Sequence, residues 1–201
     1  MHKPIIIDGY GHLMGRLASN VAKAALQGQK IIVVRCEEIL ISGPQKRNLG
    51  IFTRFLNKTQ ITNPRRGPFH HRNPSSIFLR KVRGMLPYKT SRGAAALDSI
   101  QVFEGIPAQF AKKKRVIVTN ALRLTNVKAE SPVTRLGDLA AKVGWKYGPV
   151  VAEQEQKRKV ESRAHYKKQL KKKSLWTEAV KASETNAEYT KVVNQLAAYG
   201  Y

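Results

Sequence analysis

Apolar residues open the chain in two short runs, Ile5-Ile6-Ile7 closed by Asp8-Gly9 and Ile31-Ile32-Val33-Val34 within a second stretch from Lys30 to Cys36. Between them Leu13, Leu17, Val21, Ala24 and Ala25 recur at helical spacing up to Leu26. A short run without alternation reads as a strand buried on both faces, and a recurrence every three or four residues reads as an amphipathic helix. Gly28 ends that helix. Strand, helix and strand within about 30 residues form a βαβ unit, so the pattern predicts an α/β nucleus with a parallel strand pair.

Beyond the break at Ser42-Gly43-Pro44, residues Asn48 to Asn57 have the spacing of a short amphipathic helix with Leu49, Phe52, Phe55 and Leu56 inward. The segment from Asn63 to Pro74 holds three prolines and a glycine, which forbid a helix, and arginines that a core would not bury. It is expected to be an extended loop lying on a binding partner. Ser75 or Ser76 is the expected cap of a helix from Ile77 to Met85, with Arg80, Lys81 and Arg83 divided between a partner and the core. A helix over Thr90 to Ser99, a strand over Ile100 to Phe103 and an apolar run from Val116 to Val118 follow. The turn from Gly144 to Pro149 opens a long helix near Val150, and from Gln156 to Lys173 its apolar positions are too sparse to pack along its length. The expected division is residues 1–148 as the α/β domain with basic loops and 149–201 as a basic helical extension with its tail.

Charge changes this picture from a fold to a partner. The 201 residues carry a formal net charge of +24 and are 42% hydrophobic, enough for one core. The charge is unevenly placed: residues 1–45 have 5 Lys/Arg against 3 Asp/Glu, residues 46–135 have 19 against 3, and residues 156–173 have 9 against 1. From Ile39 to Leu97, 59 residues contain no aspartate or glutamate beside 12 Lys/Arg and the pair His70-His71. An ordinary globular window of that length holds roughly seven acids, so a surface this one-signed calls for a polyanion, and nucleic acid is the abundant one. Phe69, Phe78, Tyr88 and Tyr166 lie among the basic clusters as candidates to stack on bases. The single cysteine, Cys36, forms no internal disulfide and reads as a small core residue of a reducing compartment. No apolar stretch is long enough for a membrane span or a signal-peptide core, which makes a soluble intracellular protein the expectation.

Catalytic chemistry finds little support. Gly9-Tyr10-Gly11-His12-Leu13-Met14-Gly15 follows a strand and opens a helix, as a dinucleotide-binding loop does, and Glu37 lies where a ribose ligand would sit. Its third spacing is one residue too long, however, and His12 and Met14 bring bulk to where phosphate must approach. The other readings of this turn are a structural tight turn and a backbone approach to RNA phosphate. One cysteine excludes multi-cysteine zinc clusters, His70-His71 has no carboxylate nearby to complete a metal set, and neither a nucleophile elbow nor a P-loop occurs. No cofactor and no metal are expected.

Several ordered stretches resemble the L-thirteen family of large-subunit ribosomal proteins, in its eukaryotic cytosolic branch. They are Asp8-Gly9 with Gly11 through Ser19, Val33 through Glu37, Ile41-Ser42-Gly43, Arg66 through His70, Arg83 through Pro87, Phe103 through Pro107 and Val143 through Tyr147, collinear across residues 4–173. The chain differs from the family's usual pattern at His71, where an aromatic is the rule, and at Ser76, where an arginine is. The resemblance implies a three-layer α/β domain with a mostly parallel four-stranded sheet, basic loops and a long C-terminal helical extension, and no enzymatic activity. It implies a structural constituent of the large subunit that binds rRNA, next to neighbouring ribosomal proteins. No membrane, small-molecule substrate or homo-oligomer is expected, and localisation is cytosolic with nuclear and nucleolar passage during assembly. The rival readings are a non-ribosomal RNA-binding translational regulator and, more remotely, a dinucleotide-dependent enzyme. The residues expected on rRNA are Arg16, Lys46, Arg47, Arg65, Arg66, His70, His71, Arg72, Arg80, Lys81, Arg83, Lys89, Arg92, Lys112, Lys113, Lys114, Arg115 and Lys146, and on the extension Lys157, Arg158, Lys159, Arg163, Lys167 and Lys168.

Overall fold

The computed structural model describes residues 4–184 and 187–200. In chain order its elements are β1 (Ile5–Asp8), α1 (Met14–Leu26), β2 (Ile31–Val34), β3 (Leu40–Ser42), α2 (Gln45–Leu56), α3 (Pro74–Arg83), α4 (Ser91–Asp98), β4 (Ile100–Val102), α5 (Ala108–Ala111), α6 (Arg123–Asn126), β5 (Val133–Arg135), α7 (Leu136–Lys142), α8 (Gly148–Glu184) and α9 (Ala187–Ala198). It divides into two compact units, residues up to Gln154 and residues from Glu155 onward.

In the first unit β1, β2 and β4 form a parallel sheet in the order β1-β2-β4, with Ile5 opposite Ile31 and Ile31 opposite Ile100. Val116 adds a fourth parallel position on the free edge of β1, where its N–H donates to the Ile6 carbonyl at 2.8 Å and its own carbonyl accepts from Asp8 at 3.1 Å. Alternation along the strands sorts their side chains into two layers. Ile7, Ile31, Val33 and Ile100 face a cluster built with Leu17 and Val21 of α1, Phe78 and Val82 of α3 and Leu136 and Leu139 of α7. Ile6, Ile32 and Val34 face the opposite way, onto Phe110 of α5. Both faces are therefore covered, which is why the strands are continuous apolar runs rather than alternating ones. Cys36 is fully buried in the larger cluster, and burial, with Glu37 and Glu104 adding to it, pushes its thiol well above its ordinary pKa.

The antiparallel pair β3–β5, with Leu40 opposite Arg135, and helix α7 have no counterpart among the sequence expectations. Their partners lie more than 90 residues apart, so no local period marks them. Helix α3 also corrects the expected boundary. It starts at Pro74, three residues before Ile77, because proline at the first helical position needs no N–H partner, and neither serine is its N-cap. Ser75 lies inside the first turn, where its N–H and hydroxyl both donate to Glu104. Arg80, Lys81 and Arg83 are all exposed, while Ile77, Phe78 and Val82 make the contact with the core. The exposed arc of this ten-residue helix is broad enough for all three cations, so none is divided off toward the core.

Candidate nucleic-acid interface

The glycine turn after β1 is packed against the chain at Gly9 and open at Gly11 and Gly15. A side chain at Gly9 would sit 2.8 Å from the Arg35 carbonyl, so glycine is required there by close packing. His12 is fully buried; its Nδ1 lies 2.9 Å from the Tyr10 carbonyl and its Nε2 accepts the Val118 N–H at 3.0 Å, which defines a neutral ring protonated at Nδ1. Burial lowers the pKa of this imidazole, against smaller opposing effects of the Tyr10 bond and the Asp8 charge. The Gly11 carbonyl accepts from Arg123 and the Leu13 N–H donates to Ala121. Glu37 is buried and accepts the Gly105 N–H at 2.9 Å. The Leu13 N–H and the Glu37 carboxylate are thus engaged within the protein, and the buried His12 ring fills the turn, which counts against the dinucleotide reading. No cluster of metal-ligating side chains occurs among the described residues.

Around this nucleus the cations stand outward. Arg16 on α1, Lys46 and Arg47 on α2, Arg65, Arg66, His71 and Arg72 on the loop before α3, and Arg80, Lys81 and Arg83 on α3 are exposed. So are Lys89, Arg92, Lys112, Lys113, Lys114 and Lys146. The loop carries one short turn, Pro64–Arg66, in which Arg65 donates its N–H to the Asn63 side chain. Arg83 stacks over Tyr88 at 4.1 Å and Lys113 over Phe110 at 5.5 Å. Arg72 lies against the turn at Gly144, where an added Cβ would meet its Nη1 at 3.1 Å.

Of the cations expected on rRNA, Arg115 and Arg158 also meet carboxylates of the chain. Arg115 approaches Asp8 at 3.8 Å, and Arg158 forms a two-pronged pair with Glu155 one helical turn away. In the second unit Lys157, Lys159, Arg163, Lys167 and Lys168 are exposed along α8, together with Tyr166 and Trp176.

Sequence reasoning missed three structural residues. Arg35 adopts a left-handed backbone (φ 56°), donates from Nε and Nη2 to the two carboxylate oxygens of Asp8 and lies 5.0 Å from the Tyr10 ring. Glu104 accepts from the first turn of α3, where a carboxylate also suits the helix dipole. Asn48 is the buried residue of α2 and donates to Gly43 at 3.1 Å and to Thr134 at 2.7 Å, which ties α2 to β5. A polar residue on the inward stripe of an amphipathic helix was the available signal for Asn48. Leu49, Phe52, Phe55 and Leu56 are only half buried.

That half-burial reflects a cleft of about 530 Å³ lined by residues of α1, α2, α3 and α7. Phe55 is its organising ring: Arg80 lies over it at 4.3 Å while donating to the Phe69 carbonyl at 2.9 Å, and His70 stands edge-on to it at 4.5 Å. The loop and α3 are brought together here, so that Arg80, Lys81 and His71 gather about one opening, with His70 packed on the Phe55 ring.

A buried α/β nucleus ringed by exposed cations has the charge distribution of a polyanion-binding protein. The ribosomal protein L13 family model matches residues 2–109. The large ribosomal subunit protein uL13 of Dictyostelium discoideum is 54% identical over 179 residues, covering 89% of this chain and 96% of that protein. The uL13 of Tetrahymena thermophila is 45% identical over 204 residues, covering 99% and 98%. The chain belongs to the ribosomal protein L13 family, whose members are structural constituents and not enzymes.

Proposed function

We propose that the protein is a structural constituent of the cytosolic large ribosomal subunit, where it binds rRNA and packs beside other ribosomal proteins. The observation that carries this reading is the segregation of charge. Asp8, Glu37 and Glu104 are spent inside the nucleus, while the cations of α2, α3 and the intervening loop stand outside it without a carboxylate between Ile39 and Leu97. Arg and Lys ion-pair with phosphates and release counterions, and the planar Arg groups and exposed aromatics meet unpaired bases. The domain up to residue 148 supplies the loops, and the basic helix from residue 149 onward is held by RNA along its length. Nuclear and nucleolar passage would accompany assembly.

The isolated protein should therefore bind structured RNA with steep salt dependence. Six phosphate contacts would weaken binding on the order of a thousandfold between 50 and 200 mM salt. Titration of a labelled rRNA fragment across that range checks this, and a flat response would overturn the electrostatic mechanism.

A further inference from the structure

The cleft about Phe55 has properties that general phosphate binding does not use. Resting on the reading that this face meets rRNA, we infer that the cleft receives a single unpaired nucleobase extruded from the RNA, with its flanking phosphates on Lys81 and His71. Three observations support this occupant: the walls and volume, the cationic lining, and the stack of Arg80 on Phe55. The walls are apolar, including Met14, Ile77 and Leu139, and the volume of about 530 Å³ falls within the range of roughly 300 to 1,000 Å³ in which small flat ligands are bound. The charged and imidazole groups lining it are Arg80, Lys81 and His71, and no carboxylate lines it.

The guanidinium of Arg80 is already held over Phe55 at 4.3 Å and bonded to the Phe69 carbonyl, so a stacking platform exists before any ligand arrives. Guanidinium planes are surfaces on which splayed-out bases stack. Beside the same ring, Nε2 of His70 is buried and has no hydrogen-bond partner among the described residues. His70 itself stands behind Phe55 and does not line the cleft, so a base edge would reach this nitrogen only after the ring turns. An apolar peptide would fill the walls yet leave the cations facing nothing of opposite sign, whereas a nucleotide brings a flat apolar face and a phosphate on either side in one unit.

The test compares the full chain on two RNA hairpins with the same stem, one fully paired and one carrying a single bulged 2-aminopurine, at 150 mM salt. The bulged RNA should bind at least tenfold more tightly, and its fluorescence should be quenched on binding as the base stacks. Ile51 lines the cleft and is 54% exposed, so Ile51→Trp narrows the opening without a change of charge and without disturbing the core. This variant should lose the preference for the bulge and keep its affinity for the paired stem within about twofold. Lys81→Ala, on the exposed side of α3, should reduce the preference without unfolding the domain.

Equal affinity for the two hairpins, each still salt-dependent, would overturn the base-receiving cleft and leave the rRNA-binding reading standing. Absence of binding to either would overturn both. A photo-cross-linker at position 51 in assembled large subunits should join to rRNA, and cross-linking to a protein segment instead would show that a peptide fills the cleft and would refute the inference.

Discussion

His12 occupies a position where a dinucleotide loop needs a small residue, and its burial gives the fold a dependence on pH. The folded ring has a pKa below the ordinary 6.5 because it is desolvated, while the unfolded ring keeps about that value. Below pH 6.5 the unfolded chain binds the proton first, so stability is complete above that pH and falls as pH drops through the window beneath it. His12→Gln should therefore flatten the melting temperature between pH 6.5 and 5 relative to the parent, with the remaining histidines common to both proteins. An unchanged profile would show that the ring does not titrate between the two states. His12→Ala removes the acceptor for Val118 and opens a cavity, and chemical denaturation should show a loss of about 2–3 kcal/mol. None of this was legible at Gly9 to Gly15, where the sequence shows an awkward glycine loop. The groups that explain it, Val118 and Gly105, lie 106 and 68 residues from the side chains they bond.

Elements were read best where their period is local. The runs Ile5 to Ile7 and Ile31 to Val34 and the spacing from Leu17 to Ala25 became β1, β2 and α1, because burial on both faces of a sheet and on one face of a helix leaves a direct trace in sequence. The pair β3–β5 left no such trace, and Asn48, which ties α2 to it, looks locally like a misplaced polar residue. Two predictions belong to this scale. Replacing Arg65, Arg66 and Arg72 together by alanine should leave the melting temperature within a few degrees, since all three are exposed, and should lower the slope of log K against log salt by up to about 3. Unfolding with unchanged RNA affinity would mean that the loop is part of the core.

The second concerns α8. Its residues from Lys159 to Ala182 are exposed, and like charges such as Arg163 with Lys167 and Lys167 with Lys171 stand one turn apart, each costing a few tenths of a kcal/mol. Amides from 157 to 173 should exchange quickly in the free protein and slowly in the ribosome, against slow exchange of Ile31 to Val34 in both. Strong protection of α8 without RNA would mean that packing, not phosphate, holds it.

At the scale of the whole molecule, Asp8, Glu37 and Glu104 are engaged within the nucleus while the cations of α2, α3 and the loop between them are left at its surface. The partner was legible because charge is a property of composition, and an acid-free window of 59 residues shows it without any knowledge of the fold. The cleft was not legible, because Phe55, His70 and Arg80 meet only after α2, the loop and α3 have packed. Apolar positions that the pattern assigned inward are instead half open to solvent around it. The account as a whole claims an integral subunit component and not a loosely attached regulator. Sedimentation of ribosomes carrying the tagged protein tests that claim most directly. After a high-salt wash the protein should remain with the large subunit in amounts matching its other integral proteins, and its release into the supernatant with the subunit left intact would contradict the account.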